Sequence, residues 1–152
     1  MKPRIILFAI TVALATTACI STKSTLKNVD ENAPELVLSK DNTFVITNIS
    51  KDPKYGYDKN MPVNIYYRHT KNDSINQQRF LNALLGPNGE QITYKRLEQC
   101  CPFPTKRSEM GAGFLDVYEL KWNGQKEPVK LYLNMYEKGV LMVPVGLTLK
   151  KI

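Results

Sequence analysis

Ser74-Ile75-Asn76-Gln77-Gln78-Arg79-Phe80-Leu81-Asn82-Ala83-Leu84-Leu85-Gly86-Pro87-Asn88-Gly89 is the stretch of this chain that reads as a helix with both ends marked. Ser74 and Gln77 have capping-box spacing, in which a hydroxyl at the start takes an orphan backbone N–H. Phe80, Leu81, Leu84 and Leu85 then form an apolar stripe that needs a sheet to lie on. Gly86 is placed to supply a left-handed stop, and Pro87 forbids a further turn. Asn88-Gly89 is a tight-turn pair leading into a strand over Gln91 to Arg96.

Downstream of that strand the chain reads as antiparallel β. Phe114 to Trp122 and Val129 to Tyr136 flank the turn-rich Asn123-Gly124-Gln125-Lys126-Glu127-Pro128. In the second of these strands Val129, Leu131, Leu133 and Met135 share one face, and Lys130, Tyr132, Asn134 and Tyr136 share the other. One face is therefore expected to be core and the other a tyrosine-bearing surface. Lys138-Gly139 turns the chain into a last strand over Val140 to Thr148, where Pro144 lacks a donor and marks an edge or a bulge.

Upstream, Thr43-Phe44-Val45-Ile46-Thr47 is a compact β-branched strand signal. Asn48 to Asn60 reads as a loop, with Tyr55-Gly56-Tyr57 inside it. Pro62 to Arg68 alternates as a strand with Val63, Ile65 and Tyr67 on one face. These segments predict an α+β fold, an antiparallel sheet of about six strands with one packed helix, and a β-sandwich with an inserted helix as the alternative. The globular domain is expected over residues 36–152. The polar stretch 19–35, poor in aromatics, is expected to be a flexible tether.

The N-terminus sets the compartment. Lys2 and Arg4 precede an apolar run from Ile5 to Ala15 broken only by Thr11, too short for a bilayer span of ~20 residues but suited to a secretory signal. Thr16, Thr17 and Ala18 are small, and Cys19 follows directly. This stretch resembles the lipobox of bacterial lipoproteins, with Thr16 where that pattern carries a larger aliphatic residue. The resemblance implies a signal peptide over 1–18, cleavage between Ala18 and Cys19, and acyl chains such as palmitate on Cys19. Two or three chains anchor stably where one does not. Ile20 after the cysteine, in place of Asp, implies sorting to the outer membrane. An ordinary secretory signal with an incidental cysteine is the other reading.

Removing the 18 leader residues from 152 leaves 134, enough for one core. The leader holds two of 21 basic residues and none of 14 acidic ones, so the mature chain carries 19 against 14, a net of +5. The basic residues are scattered and form only doublets such as Lys95-Arg96 and Lys106-Arg107. Together with export, this excludes nucleic acid as the expected partner and leaves the membrane, through the anchor, and a glycan, lipid or envelope protein.

With Cys19 lipidated, the adjacent Cys100 and Cys101 remain. Three intramolecular fates are open in an oxidising compartment: a vicinal disulfide, a soft-metal site, or two buried thiols. The first is strained, because neighbouring Cα atoms lie ~3.8 Å apart, below the usual disulfide range. The second is poorly supported, because His69 is the sole histidine and the C-x-x-C spacing is absent. Pro102, Pro104, Gly111 and Gly113 suggest a rigid, accessible loop around the pair. No H-E-x-x-H, G-x-S-x-G or P-loop is present, and Asp116 and Glu119 fall on opposite faces of a strand, so no catalytic residue, metal ligand or cofactor is assigned.

A second resemblance rests on Arg79 to Glu90, on Cys100-Cys101-Pro102-Phe103, and on Leu131 to Gly139 with Pro144-Val145-Gly146. These runs resemble a small exported family of Gram-negative bacteria, some members of which are named 2-dehydro-3-deoxyphosphooctonate aldolase. That enzyme is a (β/α)8 barrel of ~250 residues. A mature chain of 134 residues without alternating βα units cannot build it, so no catalytic residue is carried over. The expected function is a lipid-anchored envelope protein, a non-enzymatic binding or structural module using Tyr55, Tyr57, Tyr132 and Tyr136. The alternative is a thiol-redox or metal-handling module centred on Cys100 and Cys101.

Overall fold

The computed structural model describes residues 23–70 and 72–151. In chain order its elements are β1 (Asn48–Ile49), β2 (Val63–Asn64), α1 (Asp73–Leu81), β3 (Leu84–Leu85), β4 (Thr93–Pro104), β5 (Ala112–Lys121), β6 (Val129–Asn134), β7 (Met142–Val143) and β8 (Thr148–Leu149). Ala18 and Cys19, with the whole leader, lie outside the described residues.

The fold is α+β, built on a four-stranded sheet in the order β2-β6-β5-β4. The core face read in β6 holds at Leu131 and Leu133, which are buried, and Lys130 is exposed; Asn134, expected on the exposed face, is instead fully buried and donates to Asn64 Oδ1 at 2.8 Å, across the β2–β6 pairing. Antiparallel pairing sets Tyr118 opposite Leu131 and Asp116 opposite Leu133. Helix α1 covers that face, and its Phe80 and Leu81 join Tyr118, Leu120, Leu131 and Leu133 in one core. Each such side chain contributes about 1.5–3 kcal/mol when fully buried, which outweighs the modest helix propensity of the α1 sequence.

The expected six-stranded antiparallel sheet is replaced by this smaller one and two short pairs. β2 joins β6 in parallel, β1 joins β7 in parallel, and β3 joins β8 antiparallel. Thr43 to Thr47 buries Phe44 and Ile46 as its pattern requires but forms no named strand, and its backbone bonds go to separate partners. Phe44 N–H donates to the Arg79 carbonyl (3.3 Å) and Val45 N–H to Val37 (2.8 Å), so no continuous ladder forms. The segment expected as the last strand divides at Pro144 into β7 and β8.

The helix is shorter than its apolar stripe. Asn72, not Ser74, is the N-cap, its side-chain oxygen accepting from Ile75 N–H at 3.2 Å. That choice frees Gln77 from a capping role and turns it onto the sheet. The helix ends at Leu81 because Leu84 and Leu85 pair with Leu149 and Thr148. Gly86 does not take a left-handed conformation; it is a site of close approach. A Cβ there would lie 2.5 Å from Glu90 Oε2 and 3.1 Å from Trp122 Cγ. The left-handed residue is Gly89, at φ +88°, in the turn that brings Gln91 opposite Leu85.

Two further expectations change. The cysteine segment is not a loop: β4 runs unbroken from Thr93 through Cys100 and Cys101 to Pro104. As the outer strand it presents a long edge, blunted by Lys95, Arg96 and Glu98, by Pro102 and Pro104, and by two register shifts. The polar arm, expected to be free, is hydrogen-bonded to the domain from Lys27 onward. Lys27 N–H donates to Asn60 and Asp30 N–H to Lys138, at 2.8 and 2.9 Å. Asn64 reaches the Asn28 carbonyl at 2.9 Å.

Candidate functional site

A cleft opens where three sheet strands end. Past β2, Ile65 is still bonded to the Asn134 carbonyl (2.8 Å) and fully buried. The chain then leaves the sheet, so Tyr66, Tyr67 and Arg68 splay into one rim. Met135 and Tyr136 follow β6, and Arg107 follows β4. Thr70 and Asn76, at the start of α1, close the cleft, whose volume is about 370 Å³.

The ring positions are held from outside. Tyr67 packs edge-on against Phe44, with centroids 5.5 Å apart, and against His69 at 5.3 Å. The Arg79 guanidinium lies 5.6 Å from the Tyr67 ring centre. Arg79 also donates to Asn76 Oδ1 (2.9 Å) and Thr70 Oγ1 (3.2 Å), tying the helix to that rim. Phe103 meets Tyr136 edge-on at 6.1 Å.

Arg107 is the electrostatic centre. Its guanidinium stacks 4.7 Å from the Tyr66 ring centre. It donates to Glu137 Oε2 at 2.6 Å and to both carboxylate oxygens of Glu31, one of them at 3.1 Å. The Arg107 and Glu137 side chains are 17% and 4% exposed, so this pairing works at reduced dielectric. Hydrogen bonding to Arg107 holds the Glu31 carboxyl below its usual range, and the same bond raises Arg107. Glu35 is held down first by its bond to Lys138. The arm is thus clipped across one end of the cleft by its carboxylates.

The structure separates the tyrosines singled out in the sequence. Tyr55 is a core residue, its hydroxyl donating to Val140 (3.3 Å) and accepting from Met142 N–H (3.1 Å). Tyr57 donates to the Val145 carbonyl at 2.8 Å, and burial raises its pKa to about 12. Tyr132 sits half-buried in β6, on the face away from α1. Of the four, only Tyr136 lines the cleft. Tyr66, Tyr67 and Arg68 were expected inside a strand over Pro62 to Arg68, but the strand ends at Asn64 and releases them to the cleft; Arg107 carried no periodic signal.

Cys100 and Cys101 form a vicinal disulfide, with Cα atoms 3.7 Å apart. It occupies the second register shift of β4, where Cys100 faces Leu115 and Phe103 faces Gly113. Three steps on β4 match two on β5, so one extra residue is accommodated as a bulge. Cys101 has φ +58°, the left-handed region, and both residues are half-buried. Among the described residues no group of three or more His, Cys, Asp or Glu side chains is arranged for a metal ion, and His69 instead accepts from Arg68 Nε at 3.2 Å. No helix among the described residues is long and apolar enough to cross a membrane.

Compared with known proteins, the chain matches no family model, no curated sequence and no solved structure.

Proposed function

We propose that this is a lipid-anchored cell-envelope protein, held at the outer membrane through acyl chains on Cys19, whose domain is a non-enzymatic binding module for a short glycan. The observation that carries the glycan reading is the cleft, in which Tyr66, Tyr67 and Tyr136 stand beside Arg68, Arg107, Thr70 and Asn76. Sugar rings present apolar C–H faces that pack on aromatic rings, and hydroxyls that accept from guanidinium and amide groups. The volume, about 370 Å³, lies within the range of small-ligand sites and accommodates one or two sugar rings. The rings and Arg107 are held by neighbours before any ligand arrives, which lowers the ordering cost of binding.

The test is titration of soluble envelope-glycan fragments against the full chain in detergent, followed by calorimetry and by saturation transfer to the sugar protons. Tyr67→Ala is expected to weaken binding at least fivefold, the equivalent of ~1 kcal/mol for one lost ring contact. Tyr132→Ala, on β6 away from the cleft, is expected to bind as the parent does. Equal affinity for the parent and Tyr67→Ala, or saturation transfer unchanged by that substitution, would refute the assignment. Cys19→Ala is expected to move the protein from the membrane fraction to the soluble one.

A further inference from the structure

We propose that Cys100–Cys101 is a thiol-exchange switch whose redox state sets the shape of the cleft. The disulfide lies in the bulge of an outer strand, half-buried and at the sheet edge, where a thiolate has an approach. Cys101 adopts φ +58°, a region that non-glycine residues rarely take and that persists only where something enforces it. Here the enforcing elements are the ring closed by the two sulfurs and the extra residue of the bulge. Cutting the ring removes one of them.

The bulge connects directly to the cleft. Phe103, two residues beyond Cys101, is buried and packs on Tyr136. A Cβ on Gly113 would lie 2.7 Å from the Tyr136 ring and 2.8 Å from Phe103 Cζ, so both rings already press on that backbone. Thr105 is buried, accepts from Arg107 N–H at 3.1 Å and donates its own N–H to Gly111 at 3.0 Å. A relaxed bulge therefore shifts Phe103 against Tyr136 and moves the segment that carries Arg107.

The chemistry is a two-electron exchange with an envelope dithiol. A thiolate of the dithiol attacks one sulfur of the pair; the Cys100–Cys101 bond breaks, a mixed disulfide forms, and the other sulfur leaves as a thiolate and is protonated. The second thiol of the dithiol then attacks the mixed disulfide and leaves as an oxidised disulfide. Cys100 and Cys101 end as two thiols, and the two electrons and two protons come from the dithiol. The effect on affinity rests on the cleft being the binding site; the exchange and the movement of Tyr136 do not.

The test keeps the full chain folded in detergent and uses no sugar. The protein is incubated with dithiothreitol without denaturant, quenched with a maleimide and weighed intact, in parallel with NMR of ring-labelled tyrosine. The expected result is a gain of two maleimides per chain together with shifted Tyr136 resonances, both reversed on reoxidation. Protection from labelling until denaturant is added would overturn the proposal, as would labelling with an unmoved Tyr136 signal. The double variant Cys100→Ser with Cys101→Ser is expected to show the reduced tyrosine spectrum, and the oxidised spectrum in that variant would also overturn it.

Discussion

Replacing Gln77 with Ala removes the amide that joins α1 to the sheet. Gln77 is buried; its Nε2 donates to Asp116 Oδ2, and its Oε1 accepts from the Tyr118 hydroxyl at 2.6 Å. Asp116 keeps a second partner, Arg96 Nε at 3.0 Å. A hydrogen bond to a charged group contributes about 1.5–3 kcal/mol and a neutral one about 1 kcal/mol. Ala gains a few tenths of a kcal/mol in helix propensity, and water entering the gap recovers part of the loss. The net expectation is about 3 kcal/mol of lost stability, near 10 °C in Tm for a domain of this size. Urea and thermal unfolding of the two variants Gln77→Ala and Gln78→Ala isolate the effect, because both carry the same propensity change and Gln78 is exposed. Gln78→Ala should stay within about 0.5 kcal/mol of the parent. If Gln77→Ala matched it, the buried bridge would carry no stability and the account of helix docking would be wrong.

Asn72→Ala should cost about 1 kcal/mol in chemical denaturation, as loss of an N-cap does, while Ser74→Ala stays near zero; the reverse order would restore Ser74 as the cap. Gly113→Ala should destabilise by about 1–3 kcal/mol through overpacking against Phe103 and Tyr136, and a neutral melt would show that those rings yield freely. The carboxyls of Glu31 and Glu35 are held below their ordinary 4.5, so their contribution is present above that value and is lost as pH falls through the depressed one. Amide protection at Lys27 and Asp30 should therefore be intact at neutral pH and fall as the pH is lowered below 4.5 while Leu133 in β6 stays protected, and an arm as well protected once both carboxyls are protonated as at neutral pH would exclude this ionic clip.

How much was legible in advance depended on the range of the interaction. Leu131 and Leu133 declared their face because alternation is a property of the strand alone. The Asn88-Gly89 turn was likewise readable, since Gly89 needs only its own backbone freedom. The helix end was not, because Leu84 fits an apolar stripe and a strand equally well until Leu149 arrives to pair with it. Ser74 was the cap its motif named, but Gln77 is committed to Asp116 and Tyr118, residues some forty positions away, and Asn72 takes the capping role.

By itself, then, the sequence determined an α+β chain with one helix and the strands around Phe114 to Trp122 and Val129 to Tyr136, and it left the adjacent cysteines with three fates, of which a disulfide was one. Tertiary structure alone decided the cleft. Tyr66, Tyr67, Arg107 and Tyr136 come from three separate strand ends, and no local pattern records which ends will meet. It also decided that the polar arm lies against the domain, because Arg107 and Lys138, which follow β4 and β6, are distant in sequence from the Glu31 and Glu35 they hold. The cysteine pair Cys100–Cys101 belongs to both: adjacency offered the bond, and the bulge opposite Leu115 and Gly113 gave it room in a strand.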